Sequence, residues 1–217
     1  MLFQDRRAAG RVLAAELAER ELHDELAGPL VLALPRGGVP VADEVARVLH
    51  APLDVLVVRK IGAPFQPELG VGALAGDEPP FYDERALDLL HLTPDGLAPQ
   101  VARERVELQR RESLYRAGRP APDLRGRTAV LVDDGLATGV TACAAVRAVR
   151  RLGPARVLLA APVCSVEAAT VLGQEADDVV CPHQPRPFGA VGRWYADFDQ
   201  VTDAEVLDVL AAAHAGG

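Results

Sequence analysis

The 217-residue chain carries 23 Lys plus Arg against 31 Asp plus Glu, a net charge of -8, with 49% hydrophobic and 25% charged residues. Those proportions belong to an ordinary globule and exclude a disordered or collagen-like chain, while the excess of acid argues against the clustered cationic surface that broad nucleic-acid binding requires. The length suffices for one sizeable α/β domain, and with no Ser/Gly linker in sight residues 1–217 are expected to form a single one.

Met1 to Arg7 lead into a charged amphipathic stretch, where a secretory leader would need an uninterrupted apolar segment, and no run of about 18 apolar residues follows. A cytoplasmic protein without a membrane partner is expected. Ala9, Val12, Leu13, Leu17 and Leu22 recur at helical spacing and predict a helix over about 5–27 with Asp5 as its N-cap. Leu30 to Leu34 form a short continuous apolar run, as in a strand buried on both faces, and Pro35-Arg36-Gly37-Gly38 stops it. A helix over about 39–50 and a strand from Leu53 to Val58 follow. Arg59 to Pro67 is broken by Gly and Pro and reads as a long mobile loop.

From Pro94 to Arg116 the positions Leu97, Val101, Val106 and Leu108, with Arg and Glu between them, predict a long surface helix. Strand and helix then alternate: Ala129 to Val132 as strand, 138–152 as helix, Arg156 to Ala161 as strand, a helix from Ser165, and a strand at Val179-Val180. Thr202-Asp203-Ala204-Glu205 is a capping box that opens the last helix. Such alternation implies a mostly parallel sheet flanked by helices, with ligands at the carboxyl ends of the strands. The segment 183–198 breaks the pattern and holds the only Trp, Trp194, beside Phe188, Tyr195 and Phe198, so it reads as a hood or flap. Cys143, Cys164 and Cys181 lack metal-ligand spacing and are expected as small core residues.

Val130-Leu131-Val132-Asp133-Asp134 places two carboxylates just past the end of a buried strand. Gly135 to Gly139 then turn into a helix, so free backbone N–H groups and the positive end of a helix dipole converge there. Thr138 and Thr141 add hydroxyls, while Gly135 and Gly139 permit close approach to a phosphate. Acids beside an anion site suit a sugar phosphate.

The segment Val130 to Thr141 resembles the signature of the type I phosphoribosyltransferases, an apolar strand, two acids, a short loop and Thr-Gly-x-Thr, and the likeness extends in order over about residues 30–181. The resemblance implies that Asp133 and Asp134 hold the ribose hydroxyls of 5-phosphoribosyl 1-pyrophosphate (PRPP). It implies that Gly135, Leu136, Ala137, Thr138, Gly139, Val140 and Thr141 wrap its 5-phosphate. The turn with Arg36, Gly37 and Gly38 is similar to the family's pyrophosphate loop, and a cis peptide is expected before Arg36. Arg59 and Lys60, with the loop of about 60–72, resemble the flexible catalytic loop. Lys60 is the only lysine among 23 basic residues, which fits a place needing a compact ammonium.

Rival readings lack their motifs. There is no Gly-x-Gly-x-x-Gly turn after a strand and no phosphate-binding Gly-x-x-x-x-Gly-Lys loop; Ser113 and Ser165 lack a nucleophile elbow; His23, His50, His91, His183 and His214 show no paired ligand spacing. The expected reaction is transfer of the phosphoribosyl group from PRPP to a nitrogenous base, with magnesium carried by pyrophosphate and ribose oxygens and met by Asp133 and Asp134 mostly through water or sugar. Trp194 or Tyr195 would stack on the base, and a homodimer is a common arrangement in the family. In its 6-oxopurine members the position of Ala137 is an aspartate, so the resemblance implies another acceptor. The alternative is a PRPP-sensing regulator of the same fold.

Overall fold

A computed structural model describes residues 2–21 and 26–215 of the chain, excluding the side chains of Glu21 and Glu68; Leu22 and His23 lie outside the described residues. In chain order the helices and strands are α1 (Arg6–Glu21), β1 (Leu30–Ala33), α2 (Gly38–Val48), β2 (Leu53–Val55), β3 (Val58–Ala63), β4 (Gln66–Ala75), β5 (Phe81–Tyr82), α3 (Glu84–Leu90), α4 (Ala98–Arg116), β6 (Thr128–Val132), α5 (Val140–Arg150), β7 (Arg156–Ala160), α6 (Val166–Leu172), β8 (Asp178–Val180) and α7 (Asp203–Ala215). Single 3-10 turns lie at Asp95–Leu97, before α4, and at Val191–Trp194, within the flap.

The central sheet has the order β2-β1-β6-β7-β8 and is parallel throughout. Its central strands β1 and β6 read as apolar runs because both faces are covered. Val31, Ala33, Val130 and Val132 face a cluster that includes Leu13 and Leu17 of α1 and Val41 and Val45 of α2. Leu30, Leu32, Ala129 and Leu131 face the opposite cluster with Val146 and Val149 of α5. The caps act as expected: Asp5 accepts from the amide of Ala8 at 2.7 Å, Ser165 from that of Ala168 at 2.9 Å, and Thr202 and Glu205 bond reciprocally at 3.2 and 2.7 Å.

One stretch departs from the sequence reading. The strand expected from Leu53 to Val58 ends at Val55, and the expected mobile loop after it is an antiparallel hairpin, β3 with β4, extended by β5 into a second sheet. Ile61, Ala63, Val71, Ala73 and Leu74 are buried there. The residues that looked like breakers are parts of the hairpin. The register shifts at Gly62, where a Cβ would sit 2.2 Å from the carbonyl oxygen of Pro67, so only glycine admits that crossing. Helix α3 was also unforeseen; Asp83 caps it, accepting from the amides of Arg85 and Ala86. In α4 the buried positions are Leu108 and Tyr115, whereas Val106 is 69% exposed and belongs to the outer face. Cys143 and Cys164 are buried and Cys181 is half-buried, all three as thiols.

Candidate functional site

Two turns meet at the carboxyl ends of neighbouring strands. The amide of Leu34, just after β1, donates to the carbonyl of Val132 at the end of β6 over 2.8 Å, and the amide of Asp133 donates to Ala160 at the end of β7 over 3.2 Å. The turn after β1 contains a cis peptide between Pro35 and Arg36, where one was expected. Its two glycines lie flat against the acid loop: a Cβ on Gly37 would fall 2.1 Å from Asp134 Oδ2, and one on Gly38 would fall 2.5 Å from the carbonyl oxygen of Val132. The candidate pyrophosphate turn and the candidate ribose acids are therefore in direct contact.

Both acids are held within the protein. Asp133 Oδ1 accepts from the amide of Asp134 at 2.8 Å, and Asp134 Oδ2 accepts from Arg6 Nε at 2.8 Å. Burial and the adjacent charge of Asp134 push the Asp133 carboxyl well above the usual carboxylate range. Burial also raises Asp134, with the Arg6 guanidinium pulling the other way.

The loop beyond is tied to the segment 163–165. The amide of Leu136 donates to Val163, the amide of Ser165 donates to Leu136, and Ser165 Oγ donates to the carbonyl of Ala137 at 2.6 Å while capping α6. Gly139, at φ +81°, turns the chain into α5. Thr138 is exposed, Thr141 half-buried and Val140 buried, at the N-terminus of α5 where backbone donors are unpaired by the helix.

Other candidates lie apart from this centre. Arg36 points its Nη1 to Asp203 Oδ1 of α7 at 3.5 Å. Arg59, on β3, holds Glu104 of α4 at 2.6 and 2.8 Å, and Lys60 shares with it a groove of about 270 Å³ bordered by Pro64, Gln100 and Arg103. Trp194 donates its indole N–H to the carbonyl of Phe188 and meets His183 edge-on. Tyr195 is not disposed as a stacking platform: it is 5% exposed, its ring packs on Phe198 and Phe3, and its hydroxyl donates to the carbonyl of Asp134 at 2.5 Å. It supports the acid loop. Sequence reasoning missed Arg6 and Ser165; Arg6 stands 128 residues from its partner, a separation that leaves no local signal.

The sequence model described as "Phosphoribosyl transferase domain" matches residues 5–188. A Mycobacterium tuberculosis (strain H37Rv) protein, Rv0571c, provisionally named a phosphoribosyl transferase, is 46% identical over 215 residues; the match covers 98% of this chain and 47% of that protein, so the chain spans about half the length of this relative. The crystal structure of TT1426 from Thermus thermophilus superposes with a TM-score of 0.80 at 45% identity, over 98% of this chain and 99% of the other. AQ2163 from Aquifex aeolicus, 12% identical with a TM-score of 0.51 over 95% and 85% of the two chains, shares the fold alone. No helix among the described residues is long and apolar enough to cross a membrane. A parallel sheet with two acids and a glycine-bearing loop at the end of β6, matched by a family model over most of its length, makes this chain a member of the phosphoribosyl transferase family.

Proposed function

We propose that this chain transfers the phosphoribosyl group of PRPP to a nitrogenous base and releases pyrophosphate. A ring nitrogen of the base forms the bond to C1 of the ribose, the bond from C1 to the pyrophosphate oxygen breaks with its electron pair leaving on pyrophosphate, and the nitrogen's proton passes to solvent or a base. One observation carries the reading: the Gly37-Gly38 turn lies directly on Asp134, so a leaving-group loop and a ribose-hydroxyl site share one edge, as a single molecule of PRPP would need.

In this reading the oxygens of Asp133 and Asp134 not used inside the protein accept from the ribose 2′- and 3′-hydroxyls. The amides of 135 and 137–139 and the start of α5 take the 5-phosphate, that of Leu136 being committed to Val163. The amide of Gly37 would take the pyrophosphate, with Arg36 adding charge if it leaves Asp203, while the amide of Gly38 is spent on the carbonyl of Leu34 at 3.1 Å. Lys60 acts from the hairpin on the departing pyrophosphate.

Among the described residues no group of three or more His, Cys, Asp or Glu could cage a metal ion. Two half-buried carboxylates do fit magnesium arriving on PRPP oxygens, because that ion prefers hard oxygen donors and keeps several waters. Bound in that way, magnesium would neutralise the pyrophosphate as negative charge develops on it. The test is a panel of purine, pyrimidine and other heterocyclic bases, each incubated with PRPP and magnesium, following pyrophosphate release. Release with one base, lost in Asp134→Asn, is the expected result. PRPP binding without turnover on any base would leave a sensor of PRPP instead.

A further inference from the structure

Arg6 ties the acid pair to the flap and to the residues just beyond it. Its Nε donates to Asp134 Oδ2 at 2.8 Å, its Nη1 donates to the carbonyl of Asp199 at 2.7 Å, and its guanidinium carbon lies 3.9 Å from the centroid of the Phe198 ring. The ion pair is largely withdrawn from water, with 11% and 14% of the two side chains exposed, so the hold is not one that solvent readily screens. Phe198 in turn stacks on Tyr195 at 5.0 Å, and the hydroxyl of Tyr195 returns to the backbone of Asp134. The circuit closes on the residue where it began.

The segment before α1 belongs to the same unit. The amide of Phe3 donates to Trp194, the amide of Ala196 to Phe3 and that of Asp197 to Gln4, at 2.8, 2.8 and 2.9 Å. This segment is thus laced to the flap, and Arg6, at the first turn of α1, carries that lacing to the acid pair. Trp194 sits between His183 and Phe188, within the element that this circuit positions.

We infer that Arg6 is a positioning residue that couples occupancy of the Asp133–Asp134 site to the packing of flap 183–198. The inference rests on the proposed PRPP reading of that site. A ribose hydroxyl that donates to Asp134 draws charge from the carboxylate that Arg6 holds, and the guanidinium's other holds, Asp199 and Phe198, register the change. The flap thus answers to occupancy of the sugar site.

The experiment uses the full chain and the single tryptophan as its reporter. Magnesium-PRPP is titrated in parallel by calorimetry and by Trp194 emission, in the parent and in Arg6→Met, Arg6→Lys and Phe198→Ala, with circular dichroism confirming that each is folded. In the parent, a saturating change in emission is expected whose midpoint equals the calorimetric Kd. Arg6→Met is expected to bind about 10-fold more weakly and to lose the emission change; Arg6→Lys recovers part of both. Phe198→Ala leaves the Arg6–Asp134 pair intact and removes the ring that joins Arg6 to Tyr195, so it keeps affinity within about 3-fold of the parent and reduces the emission change. If either Arg6→Met or Phe198→Ala keeps the parent's emission amplitude, the coupling is overturned; binding by the parent with no emission change overturns it too while leaving the PRPP site standing. Absence of any heat in the parent overturns the PRPP reading and the coupling with it.

Discussion

A Cβ on Gly37 would lie 2.1 Å from Asp134 Oδ2, closer than any real side-chain contact, so the turn after β1 and the acid loop after β6 can adopt their arrangement only with glycine at 37. The carboxylate has little room to yield, because Arg6 holds that same oxygen. Gly37→Ala is therefore expected to displace Asp134, cost about 1–3 kcal/mol of stability, and weaken magnesium-PRPP binding by at least roughly 10-fold. Thermal melting and calorimetry on the purified variant check both; a variant that melts and binds like the parent shows that the contact is dispensable.

The two acids should respond in opposite senses when each is neutralised. Burial and the Asp134 charge raise the folded pKa of Asp133, so the cost of its ionisation is absent below its unfolded value, grows as pH rises toward the folded value, and is fully present beyond it. Asp133→Asn removes that cost and can still accept from the Asp134 amide; its melting temperature is expected about 2–4 °C above the parent's at about pH 8, for roughly 1 kcal/mol, with the gap closing toward about pH 4. Asp134→Asn strips Arg6 of its partner and should melt below the parent. Both lose PRPP affinity. A pH-independent difference in melting for Asp133→Asn contradicts the assignment of its raised pKa.

Tyr115 is fully buried in α4, and its hydroxyl donates to Asp203 at 2.6 Å, at the start of α7. That hydrogen bond, aided by Arg36, Arg111 and Arg110, holds Asp203 below the usual carboxylate range, and burial beside the acid pushes Tyr115 up to about 12. A depressed folded pKa contributes stability above the unfolded value and loses it as pH falls through the folded one. Tyr115→Phe is expected to cost about 1 kcal/mol at about pH 7, where the carboxylate is charged, and progressively less below about pH 4. Melting curves of parent and variant that stay equally far apart down to about pH 2.5 contradict this.

Lys60 and Arg59 should separate in kinetics. Arg59 is held by Glu104 of α4, and Lys60 borders the hairpin groove with its stem against Gly70. Lys60→Ala is expected to lower kcat on the order of 10²-fold with little change in PRPP affinity, and Arg59→Ala to act mainly on hairpin stability. Equal losses of kcat in the two variants, or none in Lys60→Ala, remove Lys60 from the chemistry.

The parallel sheet could be read from sequence because burial on both faces writes itself into continuous runs such as Leu30 to Leu34 and Ala129 to Val132, and its caps because Asp5, Ser165 and Thr202 act within a few residues of themselves. The hairpin could not. Gly62, Gly70 and Pro67 signal a break when taken singly, and only the opposing strand turns Gly62 into a crossing point. The acid loop was equally legible from Val130 to Thr141, but what steadies it is remote: Arg6, Ser165 and Tyr195 come from three other segments, and no spacing rule links them to Asp134 or Ala137. Tyr195 illustrates the limit, since an aromatic residue in a flap suggests a stacking surface while its hydroxyl and both of its ring neighbours assign it to support.

Ala137, the third residue after the acid pair, bears on the choice of acceptor. Its side chain is exposed beside Thr138, and its carbonyl is fixed by Ser165 Oγ at 2.6 Å, so the backbone here is held in place and the position offers only a methyl group. In the resembling 6-oxopurine enzymes an aspartate stands here to exchange a proton with the purine ring, and a methyl group cannot do so. Asp83 is committed to capping α3, and Asp197 Oδ1 accepts from the amide of Asp199. Glu84 shares with Thr138 a cavity of about 450 Å³ that also holds Phe81 and Tyr82, on the side of the loop facing α5. Hypoxanthine and guanine are therefore expected to be poor acceptors, with kcat/KM at least about 100-fold below that of the best base, which is adenine-like, a pyrimidine, or another nitrogen heterocycle that needs no proton acceptor at this position. Ala137→Asp should not help unless the ring is also presented correctly. Efficient formation of inosinate or guanylate from PRPP by the parent protein, at a rate abolished in Asp134→Asn, would show that the missing carboxylate is supplied from elsewhere and that Ala137 does not set the acceptor.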